Sequence, residues 1–291
     1  MKKTQFQFEA IGTKWVVDVY KELSLEEESF LLEKIMNRIN QFDMTYSRFK
    51  SESKIMKISG GGEVELPEDA DKLFGLYKKV YDISIGLVTP LVGQTLSDMG
   101  YDATYSLEKK SQVYKPLAWE EVIEWNSPVL ILKKPAILDF GAGGKGYLVD
   151  IVGELLESSG VHGYCVDAGG DIRQRSTTDR SLKVGLENPH NTEQVLGVLN
   201  LQNKSICASA SNRRAWGEMH HIVNPETLKP TSEVIAVWVV ADTTFLADIL
   251  ATALFFVPAE KLLKYFTFEY LVMYLNNTII KSEGFKAELF T

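Results

Sequence analysis

Asp139-Phe140-Gly141-Ala142-Gly143-Gly144-Lys145-Gly146 puts four glycines within six positions, between a strand-like run and an amphipathic helical one. Glycines let a backbone approach a ligand closely and turn through positive φ. The helix start that follows offers free N–H groups and partial positive charge to a phosphate, and Lys145 adds a full charge. The chemistry this suits is the cradling of a diphosphate on Gly143, Gly144 and Gly146. Gly141, Gly143 and Gly146 also satisfy G-x-G-x-x-G, and Asp167 ends the next strand-like run. That spacing leaves open a nicotinamide- or flavin-dependent oxidoreductase of the Rossmann kind, or a passive flavin binder. A Walker A loop is excluded, because Gly146 stands where Ser or Thr must follow the lysine.

Two further groups carry chemistry. Between Thr243 and Val257 the only charged residue is Asp248, and Thr252 lies four residues on, on the same helix face. The rest of that helix is apolar all round, so the carboxylate is expected to be buried and to need a partner or a metal. Oxygen ligands at i and i+4 suit Mg²⁺, while a core arginine beside Asp248 would satisfy it equally. The second group is His220-His221-Ile222-Val223-Asn224-Pro225, where an imidazole at a turn can act as a base or steady phosphoryl charge. Its spacing lacks the i, i+4 pair and third ligand of a zinc site, and His220 alone reads as a loop histidine.

These groups need elements to hold them. Alternation over Thr4–Tyr20 predicts two strands joined at Gly12. Helical spacing marks 25–42, with Ser24 as N-cap, then 66–85, 147–159 and 243–257. Strand-like runs lie at 129–132, 136–138, 164–167, 183–186, 195–201 and 234–240, with a helix-and-strand tail after them. The class is α+β, in one domain spanning 1–291 with no internal boundary. Of the 291 residues 45% are hydrophobic and 24% charged, ample for a core without metal or disulfide staples. The formal net charge of -8, without a basic run, argues against nucleic acid as partner. Cys165 and Cys207 read as buried small hydrophobes rather than a disulfide. The first residues form no apolar leader and no stretch is long enough to span a membrane, so a cytoplasmic protein is expected.

Taken in order, the motifs resemble the ApbE family, the FAD:protein FMN transferases, from Ala10 to about Phe256. Ala10-Ile11-Gly12-Thr13 is similar to A-M-G-T, and Tyr46-Ser47-Arg48-Phe49 to F-S-R-F. Asp139–Gly146, with Tyr147-Leu148-Val149-Asp150, is similar to D-L-G-G-I-A-K-G-Y-A-V-D. Asp167-Ala168-Gly169-Gly170-Asp171-Ile172 resembles N-A-G-G-D-I, and Val184-Gly185-Leu186-Glu187-Asn188-Pro189 resembles V-G-I-E-D-P. His220–Pro225 is similar to H-H-I-I-D-P, and Ala247–Leu254 to A-D-A-L-A-T-A-L almost residue for residue. The chain departs at Asn224, at Asp167 and at Ala208-Ser209-Ala210, where the family has Asp, Asn and T-S-G.

The resemblance implies a two-lobed fold with FAD in the cleft between the lobes. It implies Mg²⁺ held by Asp248, Thr252 and the Ala142 carbonyl, and catalytic roles for His221 and Lys145. Ser47, Gly143, Gly144, Gly146, Ala168, Gly169, Gly170, Asp171, Glu187 and His221 would lie along FAD. The implied reaction moves FMN from FAD to a threonine hydroxyl in the flavinylation motif of an acceptor flavoprotein and releases AMP. The alternative for the same motifs is hydrolysis, FAD to AMP and FMN.

Overall fold

The computed structural model describes residues 3–217 and 219–290; Met1 and Lys2, where the reading for a leader begins, lie outside them. Eight strands form one sheet: β1 (Thr4–Ala10), β2 (Thr13–Val19), β3 (Tyr164–Ala168), β4 (Asp171–Arg175), β5 (Ser205–Ala210), β6 (Val234–Ala241), β7 (Glu269–Tyr274) and β8 (Ile279–Lys281). Their spatial order is their chain order, and every neighbouring pair is antiparallel. A Rossmann domain needs parallel strands with helical crossovers, so the G-x-G-x-x-G alternative fails on topology. The β1–β2 hairpin turns on Ile11 and Gly12, both at positive φ, the pattern of a type I′ two-residue turn.

Alternation along the central strands buries both faces of the sheet. Trp15, Val17, Val166, Cys207, Val237 and Val239 point into one core. Cys165, Ile172, Ile206, Trp238, Leu271 and Met273 point into the other. The first core is covered by helices α1 (Leu25–Tyr46), α2 (Ala70–Ser84), α3 (Gly144–Ser158) and α4 (Thr244–Ala253). The second is covered by a hairpin, Leu182–Asn188 with Asn191–Leu201, to which Ala287–Leu289 adds a third strand. The expected α+β class is thereby borne out.

Ser24 caps α1 in a full capping box with Glu27, satisfying two N–H groups at that end. Helix α2 starts at Ala70 rather than at Leu66, because the Leu66 N–H pairs with the Pro128 carbonyl at 2.8 Å and continues the small sheet beside it. Residues 136–138, expected as a strand, form none; the Ala136 N–H bonds instead to the Ser59 carbonyl and that of Asp139 to Pro90. Cys165 and Cys207 are free and buried, as read. Among the described residues no helix is long and apolar enough to cross a membrane.

Candidate functional site

The glycine-rich segment is half turn and half helix, since α3 already begins at Gly144. Asp139 organises the turn: its Oδ1 accepts from the Gly141 N–H at 2.7 Å and its Oδ2 forms a short ion pair with Arg48 Nε. Arg48 is buried, with its guanidinium 4.2 Å from the Phe49 ring and 4.9 Å from that of Tyr101. Gly143 and Gly146 serve helix packing. A Cβ on Gly146 would lie 2.4 Å from the Thr244 carbonyl, and one on Gly143 would lie 3.0 Å from Ile249 and Phe245. Only glycine lets α3 and α4 approach this closely.

That approach brings Asp248 to the start of α3. Its Oδ2 accepts from the Gly146 N–H at 2.8 Å, taking up one of the helix-start donors that the sequence reading aimed at a phosphate. Asp248 is buried, and among the described residues no arginine forms a salt bridge with it. Burial first, and Asp171 second, hold its carboxyl well above the usual carboxylate range; Lys145 and the Gly146 N–H pull the other way. One turn on, the Thr252 hydroxyl points at the Ala142 carbonyl, 3.4 Å away, instead of bonding back to its own helix.

Lys145 reaches across from α3 to β3 and β4. Its ammonium donates to the Ala168 carbonyl at 3.0 Å and forms a short ion pair with Asp171. Burial pushes the lysine down, but Asp171 and Asp248 outweigh it and the ammonium is held above its usual range. Oxygens of Asp171 and Asp248 and the Cys207 sulfur lie within 4.8 Å of one another. Burial and Asp171 push the Cys207 thiol up, so it is a neutral S–H. The ionic donors facing this corner are therefore oxygens, the ligand type of a hard cation.

Gly169 and Gly170, at φ 63° and 98°, make the tight β3–β4 turn, and the Gly170 N–H is held by Asp167 Oδ1 at 2.8 Å. His220 is buried rather than a loop histidine: Nδ1 accepts from the Ile222 N–H and Nε2 donates to the Thr231 carbonyl at 2.8 Å. His221 is half-buried, with Nδ1 3.0 Å from the Arg213 carbonyl. A carbonyl only accepts, so Nδ1 carries the proton and Nε2 is bare. Burial, then Arg214 and His220, push this imidazole down to about 4. Asn224 caps its own turn, its Oδ1 accepting from the Glu226 and Thr227 N–H groups.

A cavity of about 1230 Å³ opens against these groups. That exceeds the ~300–1,000 Å³ of ordinary small-molecule sites. Ala142, Gly144, Lys145, Asp248 and Thr252 line it together with His221, Ser47, Gly169, Gly170 and Glu187. Arg48, Phe49, Tyr101 and Tyr105 line it as one mutually packed cluster, and Val16, Ile172, Ile206 and Trp238 line it from the sheet, with residues of the 182–187 strand. Gly143, Gly146, Ala168 and Asp171 stand behind the lining. Sequence reasoning missed Arg48, Asp139, Arg213 and Arg214, all of which line the cavity. Arg48 and Asp139 lay inside quoted motifs, yet nothing local shows that they pair.

Comparison with known proteins bears on the family and the fold. The sequence profile of the ApbE family matches residues 11–274. The FAD:protein FMN transferase of Haemophilus influenzae is 26% identical over 84% of this chain and 76% of its own. That of Treponema pallidum is 25% identical over 86% and 78%. Among solved structures, the flavin transferase ApbE of Vibrio cholerae superposes with a TM-score of 0.81 at 17% identity, and the ApbE protein of Thermotoga maritima with 0.83 at 21%; each comparison covers 98% of both chains.

Proposed function

The chain belongs to the ApbE family, and from that premise we propose that it is an Mg²⁺-dependent FAD:protein FMN transferase acting on a threonine hydroxyl of an acceptor flavoprotein. The observation that carries the reading is the convergence of the Asp248 carboxylate, the Thr252 hydroxyl and the Ala142 carbonyl on the wall of a cavity of dinucleotide size. A buried carboxyl with a raised affinity for protons, beside a hydroxyl and a carbonyl, is a donor set that fits magnesium. Those three residues would hold the ion. When bound, it would neutralise diphosphate charge and orient the reacting phosphate.

The chain's own residues supply the rest. FAD would lie with its diphosphate against Ala142, Gly144 and Lys145, and its two ring systems in the parts of the cavity on either side. Lys145 keeps a positive charge at that corner while holding Asp171 in place. His221 Nε2, bare and directed by the Arg213 carbonyl bond, accepts the threonine proton as the hydroxyl oxygen attacks the FMN-side phosphorus. The bond from that phosphorus to the bridging oxygen breaks, and AMP leaves with the electron pair. Little more is required, since phosphoryl transfer depends mainly on positioning and charge neutralisation.

The test is mass spectrometry of the chain incubated with FAD, Mg²⁺ and an acceptor protein bearing a threonine flavinylation sequence. The expected result is an acceptor heavier by one FMN residue and an equal amount of AMP. AMP with free FMN, equally fast without acceptor, would replace the transferase by a hydrolase. No FAD cleavage at all would end the reading.

A further inference from the structure

Resting on that reading, we propose that the Glu187–Arg213 ion pair is a positioning device for His221. It holds the loop Ser211–Gly217 so that the Arg213 carbonyl fixes the proton on Nδ1 and leaves Nε2 facing the cavity. Arg213 Nη2 donates to both oxygens of Glu187, at 2.6 and 2.5 Å, from the loop to the hairpin strand Leu182–Asn188. The same Arg213 receives the His221 Nδ1–H on its carbonyl. A second contact runs parallel, Asn212 Nδ2 to the Pro189 carbonyl at 2.8 Å. Loop, hairpin and imidazole all line one cavity. Glu187 thus acts on His221 through Arg213.

The loop needs such a strap. Arg214 is at φ 46°, a left-handed conformation that a side-chain-bearing residue keeps only when its surroundings insist. On the far side Trp216 Nε1 is anchored to the Met99 carbonyl at 3.1 Å, but nothing in that anchor directs Arg213. The groups facing His221 are Arg214 on the loop, His220 beside it in the chain and Asp139 of the glycine turn; the first two disfavour the imidazolium and the third favours it. Release of the loop admits water and removes Arg214, and these two larger effects outweigh loss of the Arg213 carbonyl bond, which favours the imidazolium. The imidazole then moves from about 4 toward its ordinary 6.5 and loses its single tautomer.

The side chains are 61% accessible for Arg213 and 38% for Glu187, so the pair is solvent-screened and breaking it leaves the fold intact. The test uses the whole chain as Glu187→Gln, Arg213→Ala and the swapped double variant Glu187→Arg with Arg213→Glu; Glu193→Gln, on the same hairpin, is the control. Imidazole NMR of the ligand-free protein reads the pKa and tautomer of His221, and FMN transfer is followed from pH 5 to 8 with saturating FAD and Mg²⁺. Each single variant should raise the His221 pKa and cost up to about five-fold in kcat at pH 6, the ceiling for an exposed ion pair, with KM for FAD within about two-fold. The swap should recover both readouts. An unmoved His221 titration in the single variants, or a swap no better than they are, overturns the proposal. A parent protein that never cleaves FAD ends the transferase reading instead, and the NMR titration still decides whether the pair positions the imidazole.

Discussion

Asp248→Asn should make the metal-free protein more stable and the magnesium-loaded one no better. Lys145, Asp171 and Asp248 bring one positive and two negative groups together in the interior. Oxygens of the two carboxyl groups lie within 4.8 Å, and once Asp248 is ionised Coulomb's law at an effective dielectric near 20 puts their repulsion at about 3 kcal/mol. Lys145 offsets part of this, but its ammonium is engaged by Asp171. Asparagine keeps an oxygen for the Gly146 N–H and removes the charge, so a net gain of about 1–3 kcal/mol is expected. The sign follows from the direction of the shift. The folded carboxyl is raised, so the parent's stability is lost as pH rises through and beyond the usual carboxylate range, and the gap to the variant widens from pH 5 to 8. Thermal melts in EDTA should place the variant about 2–8 °C above the parent. Saturating Mg²⁺ adds about 2.7 kcal/mol at a hundred times Kd to the parent and nothing to the variant, so the order closes or inverts. A variant that melts below the parent in EDTA, or that keeps the parent's magnesium shift, refutes the reasoning.

Four other outcomes follow. Thr252→Val should leave the metal-free melting temperature within about 2 °C and weaken the magnesium shift, because its hydroxyl faces the partly solvated Ala142 carbonyl; an undiminished shift in calorimetry counts against Thr252 as a ligand. Gly146→Ala should lose about 1–3 kcal/mol despite alanine's better helix propensity, since the new methyl meets the Thr244 backbone at 2.4 Å; urea unfolding at or above the parent's midpoint contradicts this. Asp150→Asn should cost about 3–5 kcal/mol by the same method, because Arg173 is buried against that carboxylate at 2.7 Å and the Thr244 and Phe245 N–H groups rest on it. For the parent, the acid limb of FMN transfer should follow His221 down to about 4; a limb near 6.5 that persists in His221→Gln assigns it to another group.

The sequence made helix α4 and its lone carboxylate legible because period and composition act locally: an apolar circumference forces Asp248 inside whatever surrounds it. The Ser24 cap and the Ile11-Gly12 turn were legible for the same reason. Pairings across long chain separations were not. Arg48 and Asp139 are 91 residues apart, and Glu187 and Arg213 are 26 apart on different elements. Gly143 and Gly146 show why a glycine pattern misleads: close approach of a neighbouring helix and close approach of a ligand demand the same residue. Strand direction was hidden too. A strand buried on both faces, such as β6, reads alike whether its neighbours run parallel or antiparallel, so only the topology removed the Rossmann alternative.

The two sides of the cavity differ in stiffness, and turnover has to live with that. Where α3 meets α4 at Gly146, backbone lies against backbone with no flexible side chain between to take up motion. Those helices carry Ala142's neighbours, Asp248 and Thr252, and they cannot slide apart without breaking the Gly146–Asp248 bond. The hairpin and the Ser211–Gly217 loop are joined instead by an accessible ion pair and an amide contact, so on the proposed activity it is there that the cavity would open for a product to leave. The rate at which hairpin and loop part would then set an upper limit on how often the site can be reused.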